Sequence, residues 1–490
     1  MNMRSKVWAF LLCCIVLTSC SEHVSVSKHI DMYPKIFPDY LGVTIPYNIA
    51  PLNFCVETEA DNYSVVFSNG EREIDVRSGN GKIEISEKEW RVLLNESAGD
   101  SISVAVRFKQ ENEWTAYKIF RIFVAKDPVD PYLAYRLIEP CNIWKNMGIY
   151  QRHLESFEQT AVFENKLTDE SCINCHSFCM QDPDKMLMHM RVFHDGTYVI
   201  DGEKVEKLNT RTPETMSPLV YPSWHPSGKY VAFSVNLTPI GVHMNHSNHV
   251  EVYDMKSDVV VYDVEKHEII TTEKIFSPTA FETFPTFSPD GKTLYFCSAD
   301  SVKMPGEFEK VKYSLCSIGF DPETRSFGHE VDTLYSAARE NKSALFPRVS
   351  PDGKYLMCTV TEYGTFPIWH NDADLCLYDI ESKSIRLMTE INSPFPDSYH
   401  SWSSNSRWVV FSSKRQDGMY TRPYLAHIDE RGIASKCFML PQQNPGFYKD
   451  FMQAYNIPEF VKGKIPDRMR QIKNTALEDE GIDVRFGGLE

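Results

Sequence analysis

Apolar and polar positions alternate with a period near two along most of the chain, in runs of four to eight residues broken by polar turns. That is the pattern of half-buried β-strands. Four segments share one register: YPSWHPSGKYVAFSVN (residues 221–236), FPTFSPDGKTLYFCSA (284–299), FPRVSPDGKYLMCTV (346–360) and YHSWSSNSRWVVFSSK (399–414). Their second residues, Pro222, Pro285, Pro347 and His400, are spaced by 63, 62 and 53. Each segment runs a short strand into an S-P-D-G-K-type turn, where Pro fixes φ and Gly accepts a positive φ. Each leaves it on a strand rich in β-branched and aromatic residues.

A second hairpin follows each unit, at residues 258–273, 315–335, 374–390 and 423–440. Four strands per repeat predict β-propeller blades. Upstream, residues 147–163 have the pattern of an outer hairpin. Residues 185–208 read as an inner exit strand plus an outer hairpin, with Lys185-Met186-Leu187 matching Lys229-Tyr230-Val231. The count is six blades over residues 131–440.

Residues 31–130 alternate without helical periodicity and predict a β-sandwich of immunoglobulin type, with DPVDP (127–131) at its boundary. The expected fold class is therefore all-β. In the segment 441–490, PGFYKDFMQAYNIPEF predicts one amphipathic helix docking Phe447, Phe451 and Met452, followed by a loose charged tail.

The repeats resemble those of the TolB family, on the S-P-D-G-K turn and its flanking aromatics. TolB itself carries an α/β domain where this chain shows strands. DPYLAYRLIEP, MGIYQRHLESFE, SCINCHSF and YHSWSSNSRWVVFSSKRQDGMYTRPY resemble exported lipoproteins of Bacteroidetes-type bacteria, which are TolB-like propellers carrying C-x-x-C-H. This resemblance implies an architecture more than an activity.

The first 19 residues read as an address. Two positive charges precede VWAFLLCCIVL, an apolar run of 11 that is too short to span a bilayer. LTSC at 17–20 has the form of a lipobox, so Cys20 is the expected site of acylation, and residues 20–30 are a linker. The expected location is the bacterial cell envelope, with the lipid anchor holding the chain to a membrane, the outer one by preference, and with an envelope protein as partner. A formal charge of −16 argues against a nucleic-acid partner.

The unusual chemistry is at DESCINCHSFCMQDPDKMLMHMR (169–191). In the repeat alignment INCHSF takes the place of YPSWHP, which puts the motif on a channel-lining strand. Cys172 and Cys175 have the spacing for thioether bonds to haem c, and His176 is placed as its axial iron ligand. Export fits, because c-type haem is attached outside the cytoplasm. His189 or His400 is the expected sixth ligand, and the role electron transfer or redox or ligand sensing. By their period of two, Met186, Met188 and Met190 share one face, opposite His189.

Zinc on Cys172, Cys175 and Cys179 with His176 or His189 is the alternative, as is a disulfide between Cys172 and Cys175. In either case the propeller would be a non-catalytic scaffold binding protein or glycan. The His243, His246 and His249 cluster has the spacing of a solvated loop. HSWSSNS places Ser beside His without a G-x-S-x-G elbow, so no catalytic side chain is assigned.

Overall fold

A computed structural model describes residues 24–140, 145–244 and 246–489. The lipidation site expected at Cys20, and the leader before it, lie outside the described residues.

The N-terminal unit is a seven-stranded sheet facing a three-stranded one. Its central strand, Ser101–Gln110, buries Ile102, Val104, Val106 and Phe108 and leaves the residues between half-buried, as a period of two requires. Two pairings in the large sheet are parallel, Val26–His29 with Glu113–Ala116 and Phe120–Ala125 with Thr44–Pro46. An immunoglobulin sandwich is built from antiparallel sheets.

The expected absence of helical pattern is corrected by an α-helix at Glu87–Glu96. Its sequence carries a capping box: the Ser86 hydroxyl accepts from the Glu89 amide at 3.5 Å, and Glu89 stands at the third helical position. Trp90, Leu93 and Leu94 form the one buried stripe, and the Trp90 indole donates to the Ile49 carbonyl at 3.2 Å. Replacing Ser86 by Ala should lower stability by about 0.5–1 kcal/mol, read as a denaturation midpoint shift. An unchanged midpoint would mean that packing alone holds the helix.

Among the described residues, the rest of the chain forms six large sheets, each built on four antiparallel strands or, in the first, three and a late one, and a two-stranded ribbon of Ile240–Val242 with Val250–Val252 inserted within the third. The first sheet runs Gln159–Glu164, Gly148–His153, Tyr132–Ile138 and then Ala454–Val461. The other five lead with Cys172–Phe178, Leu219–Trp224, Ala280–Phe287, Ser343–Val349 and Asp397–Trp402. These five strands and Ala454–Val461 touch one another in cyclic order, so they surround a common axis.

The turns behave as their residues dictate. In SPDG at 288–291, Ser288 Oγ and Asp290 Oδ1 lie within hydrogen-bond distance, Asp290 Oδ1 accepts from the Lys292 amide, and Gly291 has φ +73°. Ser350, Asp352 and Gly353 (φ +71°) repeat this geometry. Apolar clusters fill the gaps between successive sheets. Met186, Met188 and Met190 share the one between the first and second, as core. The repeated Cys297, Cys316, Cys358 and Cys376 are buried thiols. One large cluster joins the N-terminal unit to the fifth, sixth and first sheets, and the Trp408 indole donates to the Asp127 carbonyl across that seam.

The C-terminal expectation needs correction. Only Phe447–Asp450 is helical, and Met452 is exposed. Residues 454–461 are a strand because NIPEFV repeats the pattern of FPRVS, and the unfilled edge of Tyr132–Ile138 takes it up. The sheets therefore extend past residue 440. The tail is structured too: Met469–Glu478 is a helix, and Ile482–Asp483 and Arg485–Leu489 add parallel strands to the outer edges of the second and third sheets.

Candidate functional site at the channel mouth

The six axial strands share an irregularity. Tyr221, Phe284, Phe346, Tyr399 and Ile457 all have φ near +50° although none is glycine. In all five of these strands the register shifts at that point. The strand Cys172–Phe178 shifts between Asn174 and Ser177, which puts Cys175 at the matching position. Such bulges re-aim side chains. Here they turn a ring of large groups toward the axis. Phe284 and Phe346 stack at 4.0 Å between centroids, Tyr221 lies 4.7 Å from Phe284, and Tyr399 meets Phe346 edge-on at 5.2 Å.

This aromatic layer separates two spaces. Above it a cavity of about 260 Å³ opens at the channel mouth. Its floor includes Tyr221, Phe346, Tyr399 and Ile457, and its walls carry Arg136, Arg191, Lys414, Cys172 and Asn174. Below it lies a void of about 20 Å³ against His176, Pro222, Pro285 and Arg348. That is room for about one water molecule.

The predicted site residues are distributed across these spaces. Cys172 lines the mouth. Cys175 lies on the same strand. His176 stands where the other axial strands have Pro222, Pro285, Pro347, Pro458 or His400, and it lines only the lower void. Its Nε2 has no hydrogen-bond partner and sits 3.7 Å from Glu459 Oε2, too far for a bond. Burial, with a smaller push from Arg136, lowers the His176 pKa to about 3, so the ring is neutral. Burial raises the Glu459 carboxyl to about 7 against the opposing pull of Arg348.

The two predicted sixth ligands point elsewhere. His189 binds Thr197 Oγ1 through Nδ1 at 2.9 Å and packs on Phe233 of the third sheet. His400 donates from Nε2 to the Met357 carbonyl at 3.0 Å, in the fifth sheet. Burial lowers both pKa values to about 3. The chain thus holds three neutral imidazoles, each with an unpartnered ring nitrogen, in three different settings.

A haem c must meet thiol sulfur at its edge and imidazole nitrogen at its iron. Here the Cys172 side chain is above the aromatic layer, while the His176 nitrogen is below it in a one-water space. As arranged, these residues do not fit a porphyrin. The zinc set is also divided, because Cys179 is buried between the second and third sheets, with its thiol 3.8 Å from the His225 carbonyl. Among the described residues, no three His, Cys, Asp or Glu side chains gather as a metal site. His243 bonds to Tyr253 and His246 lies 3.4 Å from Glu309, so the loop histidines are spent on neighbours.

The sequence reading missed the cations of the mouth and the half-buried Arg348 and Glu459. The signal for the latter two was present. Arg348 and Glu459 occupy the repeat position that holds Ser223, Thr286, Ser401 or Ser177 in the other axial strands. A charge there marks a departure from the repeat.

No family model matches the chain, and no curated protein matches it. Solved structures do. TolB from Acinetobacter baumannii is 14% identical, covering 77% of this chain and 85% of that one, with a TM-score of 0.43. A DUF4784 family protein from Bacteroides caccae is 9% identical, covering 74% and 97%, with a TM-score of 0.32. An oligogalacturonate lyase in complex with manganese is 11% identical, covering 64% and 74%, with a TM-score of 0.35.

Proposed function

We propose that this chain is a non-catalytic binding propeller of six TolB-like blades, held at the bacterial cell envelope by acyl chains on Cys20. The observation carrying this reading is the open, aromatic-floored cavity at one end of a channel that is plugged beneath it. A plugged channel with a shaped mouth suits capture of a ligand better than passage or turnover. The sandwich-like N-terminal unit, packed on the fifth, sixth and first sheets, is the surface left for an envelope protein partner.

Covalent haem c is the second reading, and the exposure of Cys172 to the mouth favours it. It requires the aromatic layer to open so that His176 reaches the same space. The protein, produced in a host that matures c-type haem, should be colourless when reduced. Sharp α and β bands surviving acid–acetone extraction, and lost in Cys172→Ser and Cys175→Ser, would replace the binding reading with the redox one. Lipid attachment is tested separately: labelled fatty acid should enter the wild-type chain and be absent from Cys20→Ser.

A further inference from the structure

We propose that the channel-mouth cavity binds a compact organic anion with a planar apolar body, an aromatic carboxylate being the simplest member of the class. The proposal rests on the binding reading above and names what that site takes.

The charge argument comes first. The chain has 67 acidic residues against 51 basic ones, so a basic side chain usually has a carboxylate to hand. Yet Arg136 and Arg191 both line this cavity, with Glu139 as the only carboxylate lining it among the described residues. Glu139 accepts from Asn146 at 2.8 Å. Neither Arg136 nor Arg191 belongs to an ion pair among the described residues. Arg136 donates to the Ile173 carbonyl at 3.2 Å and, through Nη2, to the Asn456 side-chain oxygen at 3.1 Å, and its Nε is buried without a partner. Without a carboxylate partner among the described residues, the Arg136 guanidinium that lines the cavity would gain a charge-assisted bond from an anion bound there. Lys414, 4.1 Å above the Trp369 ring, also lines the cavity and adds positive potential there.

The walls define the rest of the ligand. Tyr221, Phe346, Phe366 and Tyr399 present rings, and Ile138, Ile240, Val252 and Ile368 make the lining mainly apolar, with Asn174, Thr238, Thr421 and Asn456 as its uncharged polar groups. A planar hydrocarbon body stacks on such a floor. An acidic sugar would carry its charge to the same arginines but leave its hydroxyls facing aliphatic side chains. At about 260 Å³ the space is at or below the small end of ligand pockets (~300–1,000 Å³), which favours one compact molecule over an extended chain.

Isothermal titration of the purified protein with 2-naphthoate, 2-naphthamide and galacturonate tests this. The acid should bind, and its affinity should fall several-fold from low to high salt. The neutral amide should bind at least about tenfold more weakly, because the paired charge is absent. Arg191→Glu, at an exposed side chain, should weaken the acid by about tenfold or more. Arg136→Gln should do the same, and Arg191→Glu keeps the test decisive should Arg136→Gln fail to fold. Equal affinity for acid and amide, an unchanged affinity in Arg191→Glu, tighter binding of galacturonate, or no heat at millimolar acid each overturns the assignment. The absorption spectrum of the same sample separates the two failures. A colourless protein that ignores naphthoate loses only the ligand class, whereas a haem-bearing one loses the binding reading itself.

Discussion

A chain ended after Gln453 should not reach a soluble folded state. Such a truncation removes Ala454–Val461, the strand that completes the first sheet although it arrives more than 300 residues after its partner Tyr132–Ile138. Tyr455, Phe460 and Val461 are fully buried there. At roughly 1.5–3 kcal/mol for each buried large side chain, their loss alone approaches ~5–9 kcal/mol. That is comparable with the ~5–15 kcal/mol that holds a typical domain folded. The truncation also strips partners from buried hydroxyls: Ser412 and Thr421 donate to the Tyr455 carbonyl at 2.9 and 2.7 Å, and Ser401 donates to Pro458 at 2.8 Å. An unpaired edge on Tyr132–Ile138 would then invite aggregation. A chain ended after Lys464 keeps the strand but loses Ile465, the helix Met469–Glu478 with its buried Ile472 and Ala476, and the two outer-edge strands, so it should fold with a lower melting temperature. Soluble yield and circular-dichroism melts of the two chains decide the matter. If both fold equally well, the late strand is not what closes the ring of sheets.

The same strand shows what could and could not be read from the chain. The S-P-D-G-K turns are local, closed by bonds such as those of Ser288 and Ser350 that span five residues or fewer, so the repeats at 221–236, 284–299 and 346–360 announced themselves. The place of His176 also followed from alignment alone, because it stands where the repeat has Pro222 or Pro285. IPEFV at 457–461 carries the same mark, but without a following turn it looked like the end of a helix. The helix Glu87–Glu96 was written in SEKE and in the spacing of Trp90, Leu93 and Leu94, yet it is one short element among strands. The tail strands Ile482–Asp483 and Arg485–Leu489 are fixed by backbone pairing to sheet edges, which leaves little trace in side-chain pattern. The mouth was least legible. Arg136, Arg191, Lys414 and Phe366 come from four different sheets, and only closure around the axis brings them to one cavity.

Replacing Glu282 by Gln should stabilise the protein at alkaline pH and flatten its stability profile between about pH 5 and 8. Glu282 lies on the axial strand of the fourth sheet, is 2% exposed, and has a buried Oε2 with no hydrogen-bond partner. Burial first, then Asp258 and Asp254, push its pKa from 4.5 to about 8. Asp254 and Asp258 are themselves raised to about 6, also by burial. Ser257 and Tyr313 hydrogen-bond Asp254, and Lys256 lowers Asp258, so neither of these charges is as isolated as Glu282. The Cys316 thiol faces the same carboxyl and is raised to about 11 partly by it.

The sign follows from linkage. In the folded state Glu282 holds a proton that the unfolded chain, with a pKa near 4.5, releases. The folded state therefore binds more protons over this interval, and stability falls as pH rises, by up to ~1.4 kcal/mol per unit. The contribution is fully present below pH 4.5 and lost as pH climbs through 8. Glutamine is neutral throughout and nearly isosteric, so at pH 8 the variant should gain on the order of 2–4 kcal/mol, less than the full shift implies because the surroundings relax. At about 2.1 cal/mol/K of unfolding entropy per residue, a chain of this size shifts by about 1 °C per kcal/mol, so the melting temperature should rise by roughly 2–4 °C at pH 8 and hardly at all at pH 5. Parallel melting curves for wild type and Glu282→Gln across that range would show that water or structural adjustment already solvates the carboxylate.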